Sequence, residues 1–193
     1  MHDPISLFSA WLAEAETTEI CDANACALAT IESTADGPFP DVRIVLLKQH
    51  DADGFVFYSN FTSAKGVQME RHPVAALDFH WKSLKRQVRT RGKVHRVSTA
   101  TADAYFATRP RESQISAWAS LQSQRLETRA QFEAKLAEFD RRFPGEIPRP
   151  DYWGGWRLVP ASIEFWEDRP GRQHHRERFT RAGQQWERTL LYP

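Results

Sequence analysis

The stretch RIVLLKQHDADGFVFYSN (residues 43–60) holds two β-rich runs on either side of a turn. VRIVLLK (42–48) and FVFYSN (55–60) are dominated by branched and aromatic residues, and DADG (51–54) between them is a hairpin turn signal. The stretch therefore predicts an antiparallel hairpin, and the chain on both sides repeats the same grammar. Upstream, ACALATIE (25–32) reads as a strand, followed by a loop STADGPFP marked by Gly and Pro. Ahead of it, DPISLFSAWLAEAE predicts a helix within 1–16, with Asp3 as cap, Pro4 in the first turn, and Leu7, Phe8, Trp11 and Leu12 as its apolar stripe.

Downstream, SAKGVQMERH (63–72) predicts a short helix capped by Ser63 and stopped by Pro73. VAALDFHW (74–81) and KRQVRTRGKVHRVS (85–98) form a second strand pair, in which Gln87, Arg89 and Arg91 share one face and Gly92 marks a bulge or bend. Helical patterns over 101–108, 110–120 and 125–143 make a helical insertion at 100–143, the last helix presenting Phe132, Leu136 and Phe139. After the Pro/Gly-rich PGEIPRPDYWGG, residues 156–193 return to strands in WRLVPASIEFWE, HRERFTR and WERTLLY. With no repeat or linker, the reading is one domain over 1–193. Its class is α+β and mainly antiparallel β, with inserted and flanking helices.

The bulk numbers exclude several classes. Lys plus Arg number 26 against 25 Asp plus Glu, a net charge of +1, which does not suit a nucleic-acid or acidic membrane partner. No apolar run reaches membrane-spanning length, and the first residues are acidic and amphipathic, so a cytoplasmic protein is expected. Two cysteines, Cys21 and Cys26, are too few for a structural zinc site and are read as reduced.

What stands out is a local supply of anion-binding groups beside strands. Arg43 and Lys48 bracket RIVLLK, and Lys65 falls in the first turn of the helix capped by Ser63, where free N–H groups and the helix dipole favour an anion. YFATRPRES places Tyr105, Arg109 and Ser113 four residues apart, with Pro110 starting a helix that ends at Gln122 and Ser123. Two phosphate-sized anion sites are predicted. Near the C-terminus, RPGRQHHR (169–176) holds adjacent histidines. On a strand His174 and His175 point to opposite faces, so no metal site is expected. If extended, the segment puts Arg172, His174 and Arg176 on one face and Gln173 and His175 on the other. Trp81, Trp118, Trp153, Trp156 and Trp166 read as core or interface packing.

RIVLLK, GFVFYSNFTSAKG, RQVR, YFATRPRESQISAWAS followed by QSQ, WGGWRLVP, IEFW, the RxHxR of 172–176 and the closing LYP occur in an order that resembles the pyridoxamine 5′-phosphate oxidase family over nearly the whole chain. The resemblance implies an FMN-binding split β-barrel and a homodimer with two FMN sites at the subunit interface. It also implies oxidation of pyridoxamine 5′-phosphate or pyridoxine 5′-phosphate to pyridoxal 5′-phosphate, with hydride transfer to flavin N5 and O2 giving hydrogen peroxide. Carried over by position, cofactor contacts fall on Arg43, Ile44, Val45, Leu46, Leu47, Tyr58, Ser59, Lys65, Gln87, Gln122, Ser123, Trp166 and Arg176. Substrate contacts fall on Lys48, Tyr105, Arg109 and Ser113 at the phosphate, and on Arg172 and His174 at the pyridine ring, these last two being the catalytic candidates. Asp22 aligns with an acidic residue near the family's site, or it caps a turn. The chain departs from the family at Ala64, where many members have Arg, and at Gln173 and His175 within the usual Arg-Leu-His-Asp-Arg. Alternative readings are a paralogous flavin oxidase of a phenazine-precursor type and a non-catalytic flavin- or pyridoxal-phosphate-binding protein.

Overall fold

A computed structural model describes residues 3–193, so the first two positions of the expected 1–16 helix lie outside the described residues. Helix α1 (Pro4–Thr18) starts where Asp3 accepts from the N–H groups of Ile5 and Ser6, and it ends two residues later than expected. Its stripe buries Phe8 and Leu12 along with Ile5 and Ala15, while Leu7 and Trp11 are only partly covered.

Strand β1 (Ala25–Thr34) pairs along its whole length with residues 37–46 of β2 (Gly37–Asp51). The loop expected at 33–40 is thus a tight hairpin, with Gly37 at φ +113° turning the chain and Pro38 and Pro40 on the paired strand. The opening stretch folds as predicted: β2 runs antiparallel to β3 (Gly54–Asn60) through Asp51↔Gly54. A bulge lies between Leu47 and Gln49. It takes Lys48 out of the regular ladder and re-aims its side chain.

Helix α2 (Ala64–Arg71) leads to β4 (Val74–Trp81) and β5 (Arg86–Arg96). Helices α3 (Thr99–Ala107), α4 (Arg111–Ala119) and α5 (Arg129–Arg142) follow as the helical insertion. No residue of α5 is fully buried. Phe139 and Leu136 lie partly covered in a satellite cluster with Trp118, because α5 leans on α4 and not on the barrel.

Strand β6 (Trp153–Glu167) then pairs with β5 along one edge. Along its other edge it pairs first with β3, through residues 153–158, and then with β7 (His175–Ala182), through residues 162–167. The β3–β6 pairing closes a six-stranded ring in the order β3-β2-β1-β4-β5-β6, and β7 and β8 (Gln185–Leu190) extend from β6 as a flap. This is a split barrel. At the hand-over, Pro160 offers no N–H, and Gly92 opposite it sits at a bulge where a Cβ would come within 1.9 Å of the Val159 carbonyl oxygen.

One expectation is corrected here. Residues 170–172 form a short 3-10 turn, and β7 begins only at His175. Arg172 takes φ +61° directly after Gly171 at +69°. The segment 172–176 is therefore not extended as a whole, and the alternation argument holds only from His175 onward.

The barrel core is aromatic. Phe8 contributes no exposed surface and makes edge-on contacts with Phe55 (4.9 Å), Phe79 (5.0 Å) and the His50 ring (5.1 Å). Phe8→Ala should cost about 3–5 kcal/mol by emptying this site. Urea unfolding monitored by tryptophan fluorescence would check it, and a loss below about 1 kcal/mol would show that α1 is not part of the cooperative core.

Candidate functional site

A cavity of about 340 Å³ opens where β2, β3, α2, α4 and the start of β6 meet. Ile44, Leu46 and Lys48 reach it from the face of β2 turned away from the core, and Val45 also borders it. Tyr58, Ser59 and Asn60 come from the end of β3, Lys65 from the first turn of α2, and Tyr105 and Arg109 from the end of α3. Ser116, Ala117 and Ser120 line it from one face of α4 and the turn that follows. Gln122 and Trp153 complete the wall.

The cavity has two cationic poles. At one, Lys65 Nζ donates to Gln122 Oε1 (2.8 Å) and Ser63 Oγ (3.3 Å), and Ser59 Oγ donates to the same Gln122 oxygen (3.4 Å). Ser63 also caps α2, accepting from the N–H of Gly66. Burial, reinforced by the charge of Arg43, brings the Lys65 ammonium down to about 8. At the other pole, Arg109 has its guanidinium 4.6 Å from the Trp153 ring, and its Nη1 is buried without a hydrogen-bond partner. Burial lowers its pKa, against the opposing pull of Tyr105. Tyr105 stacks on Tyr58 at 3.9 Å, and burial raises both phenols, so each is a neutral donor at physiological pH. Two desolvated cations, neither with a carboxylate partner among the described residues, border one cavity, an arrangement chemically able to receive phosphate-like anions.

Several sequence-predicted residues stand outside this wall. Arg43 donates to Leu28 O (3.1 Å), Thr30 Oγ1 (2.6 Å) and Gln68 Oε1 (3.0 Å) and pairs with Asp41, so it buttresses the site and adds to its field. The Leu47 side chain is in the barrel core, which leaves only its backbone for a ligand. Ser113 lies one helical turn ahead of Ser116, and Ser116 holds the wall position. Ser123, at φ +71°, lines a neighbouring cleft with Ala64 and Gln68 that shares Gln122 with the cavity. Asp22 is exposed, and its carbonyl accepts from the Ala25 N–H in the turn before β1, which is the turn role considered for it.

A second group gathers on the flap side. Gln87, Trp166 and Arg176 stand abreast on β5, β6 and β7. Gln87 Nε2 donates to Asp78 (3.1 Å), and Arg176 grips Glu164 through Nε (3.1 Å) and Nη2 (2.8 Å). His174 lies against Trp166, ring centroids 4.6 Å apart, with Nδ1 3.0 Å from Asp168. Arg172 is exposed in the strained turn described above. None of these residues borders the 340 Å³ cavity.

Asn60, Ser116, Ala117, Ser120 and Trp153 line the cavity without having been singled out for it. Ser116 and Ala117 on α4 and Ser120 at its C-cap carry a signal, since small residues at 116, 117 and 120 fall toward one helical face. Asn60 and Trp153 become neighbours only through the β3–β6 register, which pairs them directly.

A family model described as pyridoxamine 5′-phosphate oxidase matches residues 12–142, and one described as the pyridoxine 5′-phosphate oxidase C-terminal dimerisation region matches 153–193. A Rhodopseudomonas palustris (strain HaA2) protein named pyridoxine/pyridoxamine 5′-phosphate oxidase is 57% identical over 99% of this chain and 90% of its own length. A Mesorhizobium japonicum protein of the same name is 56% identical over 99% of this chain and 93% of its own. Among solved structures, PhzG from Burkholderia lata 383, in complex with tetrahydrophenazine-1-carboxylic acid, superposes with TM-score 0.91 at 30% identity, over 99% of this chain and 93% of that one. A Nostoc punctiforme protein described as pyridoxamine 5′-phosphate oxidase-related and FMN-binding shares the fold at TM-score 0.78 and 18% identity. With full-length relatives above half identity and a family model spanning most of the barrel, the chain belongs to the pyridoxamine 5′-phosphate oxidase family.

Proposed function

We propose that this chain is an FMN-dependent oxidase that converts pyridoxamine 5′-phosphate or pyridoxine 5′-phosphate to pyridoxal 5′-phosphate. The observation that carries the reading is the pair of desolvated, carboxylate-free cations, Lys65 and Arg109, at two poles of one cavity. Two phosphate monoesters, one on the cofactor and one on the substrate, need two such poles. The full-length relatives named for this activity support it.

FMN suits the donor set at the first pole, where Lys65, Ser59 and Gln122 offer an ammonium, a hydroxyl and an amide, with Ser123 close by. Ile44, Val45, Leu46 and Tyr58 give an apolar wall for a flat ring. FMN, when bound, supplies the two-electron acceptor for hydride removal from the substrate, with O2 as final oxidant and hydrogen peroxide as by-product. The chain's own residues position and neutralise. Lys48, Tyr105 and Arg109 hold the substrate phosphate, with Ser113 and its helical neighbour Ser116 at the start of α4. Arg172 and His174 orient the pyridine ring, the reacting part of the substrate.

Gln87, Trp166, His174 and Arg176 border no part of the cavity in their own chain, so the reading places them at the site of a second copy. The C-terminal dimerisation region at 153–193 contains three of the four and supports a homodimer with two composite sites. β6 is hydrogen-bonded to strands of both matched regions, which supports a single domain over 1–193. A cytoplasmic location agrees with the two unpaired cysteines.

The visible spectrum of the purified protein should show bound flavin. Pyridoxamine 5′-phosphate should bleach it without oxygen and give peroxide with oxygen. Bound flavin that only a dihydrophenazine carboxylate reduces would favour a PhzG-like oxidase, and bound flavin that nothing reduces would favour a carrier. Arg172→Ala should lower kcat on the order of a hundredfold while flavin content holds, since it touches substrate and not cofactor. Equal losses of both would remove it from the substrate.

Lys65→Ala should do the reverse and weaken FMN retention first. Wild-type affinity for FMN should also depend on pH in a set direction. A phosphate dianion favours charged Lys65, so affinity holds below the free lysine's value near 8 and falls above it, by up to about tenfold per pH unit. Flavin fluorescence titrations at pH 7 to 9.5 would check this. Lys65→Arg should remove the fall, and a profile identical to wild type in that variant would show that another group titrates.

A further inference from the structure

Trp153 is the large aromatic residue of the cavity wall to which no role in binding has been given. It is 7% exposed and opens β6. Its N–H donates to Pro150 O (3.0 Å), and its carbonyl accepts from Arg149 Nη1 (2.6 Å). Phe106 meets its ring edge-on at 5.2 Å, and the Tyr58 ring lies nearly parallel to it at 5.4 Å. The next two residues are glycines packed closely by side chains. A Cβ on Gly154 would stand 2.5 Å from the Phe61 ring, and one on Gly155 would stand 2.7 Å from Val97 Cγ2 and 2.8 Å from the Tyr58 ring, so a larger residue at either would displace its neighbours. Backbone and ring of Trp153 are thus both fixed, and the face of that fixed ring carries the Arg109 guanidinium at 4.6 Å.

Most other partly buried arginines in this chain are held by carboxylates; Arg178 and Arg181 are exceptions, and Arg181 lies over the Trp186 ring at 5.0 Å, but neither borders the cavity. Arg157 pairs with Asp51, Arg86 with Glu14 and Glu167, Arg149 with Asp103, and Arg176 with Glu164. Arg109 instead has aromatic faces, Trp153 and the more distant Phe106 at 5.6 Å, and a buried Nη1 without a partner. The two kinds of support differ chemically. A carboxylate cancels the charge and occupies the in-plane N–H donors of the fork. A π face stabilises the cation from above and leaves those donors free.

We propose that Trp153 is a positioning residue: it holds Arg109 charged, desolvated and uncommitted to any carboxylate, and thereby sets selectivity for a substrate that carries a phosphate monoester. This rests on the assignment of Arg109 to the substrate phosphate. Trp153 touches the arginine and acts through it.

The test uses the flavin-loaded enzyme with Trp153→Phe and Trp153→Leu, each also made in an Arg109→Ala background. KM for pyridoxine 5′-phosphate and the inhibition constant of inorganic phosphate should rise together, about threefold for Phe and about tenfold for Leu. The changes in kcat should stay within about twofold, because the ring supports binding common to ground and transition states. In the Arg109→Ala background, Trp153→Phe should change KM by less than about 1.5-fold, since the partner it supports is gone. Phe keeps a ring in the site, so it serves if Leu prevents folding, with flavin content as the check on integrity. A rise in KM of the same size with and without Arg109, or a rise in KM with phosphate inhibition unchanged, overturns the proposal and leaves the assignment of Arg109 standing. If Arg109→Ala by itself alters neither constant, the assignment of the phosphate pole fails, and this inference falls with it.

Discussion

The architecture depends on how β6 spends its two edges. One is given to β5 throughout, while the other is divided between β3 and β7. The division falls where Pro160 has no N–H to offer and where Gly92 allows Val159 to come close. Without the β3 pairing the ring would stay open. Without the switch to β7 there would be no flap, and the strand register that brings Gln87, Trp166 and Arg176 into line would be lost.

The same division has a cost that shapes function. Trp153 and Trp166 stand at opposite ends of β6, with about 40 Å of strand between them. The Trp166 group borders no part of the cavity that Trp153 walls in the same chain. In the proposed homodimer a second copy would supply that group, and β2 carries an exposed apolar face. Val42 and Ile44 on the outward face of β2 are 65% and 67% exposed, beside exposed Phe39 and Leu46. A stripe of this kind on a paired strand is what an interface covers. Ile44 and Leu46 also line the cavity, so the surface that would bind the partner and the wall of the site are continuous.

Local patterns in the sequence determined most of the elements. Asp3-Pro4, Ser63, DADG and the alternation in RQVRTRG each act over a few residues, and each produced the expected helix start, turn or strand. The reading failed where non-local pairing overrides local chemistry. STADGPFP has loop composition, but β1–β2 pairing draws it into the ladder. Arg172 looked extended from spacing alone, yet Gly171 opens a left-handed turn that passes through it. The site divides the same way. Lys65, Tyr105 and Arg109 were legible because a helix end or a four-residue spacing displays them. Trp153 and Asn60 were not, because what joins them is a strand register between residues far apart in sequence. Family resemblance supplied Gln87, Trp166 and Arg176, which no local pattern marks.

Net charge was uninformative for a related reason. Many of the arginines are matched by carboxylates placed for them, as with Arg43 and Asp41, Arg157 and Asp51, or Arg188 and Glu177. A count of +1 averages those pairs with the cations that have none, Lys65 and Arg109 among them. Lys65 and Arg109 are both unmatched and desolvated, which is the costly arrangement, since burial disfavours the charged form and no partner restores it. Under the proposed function, a phosphate bound at each pole would offset that cost, and a ring in place of a carboxylate leaves the Arg109 donors free to receive it.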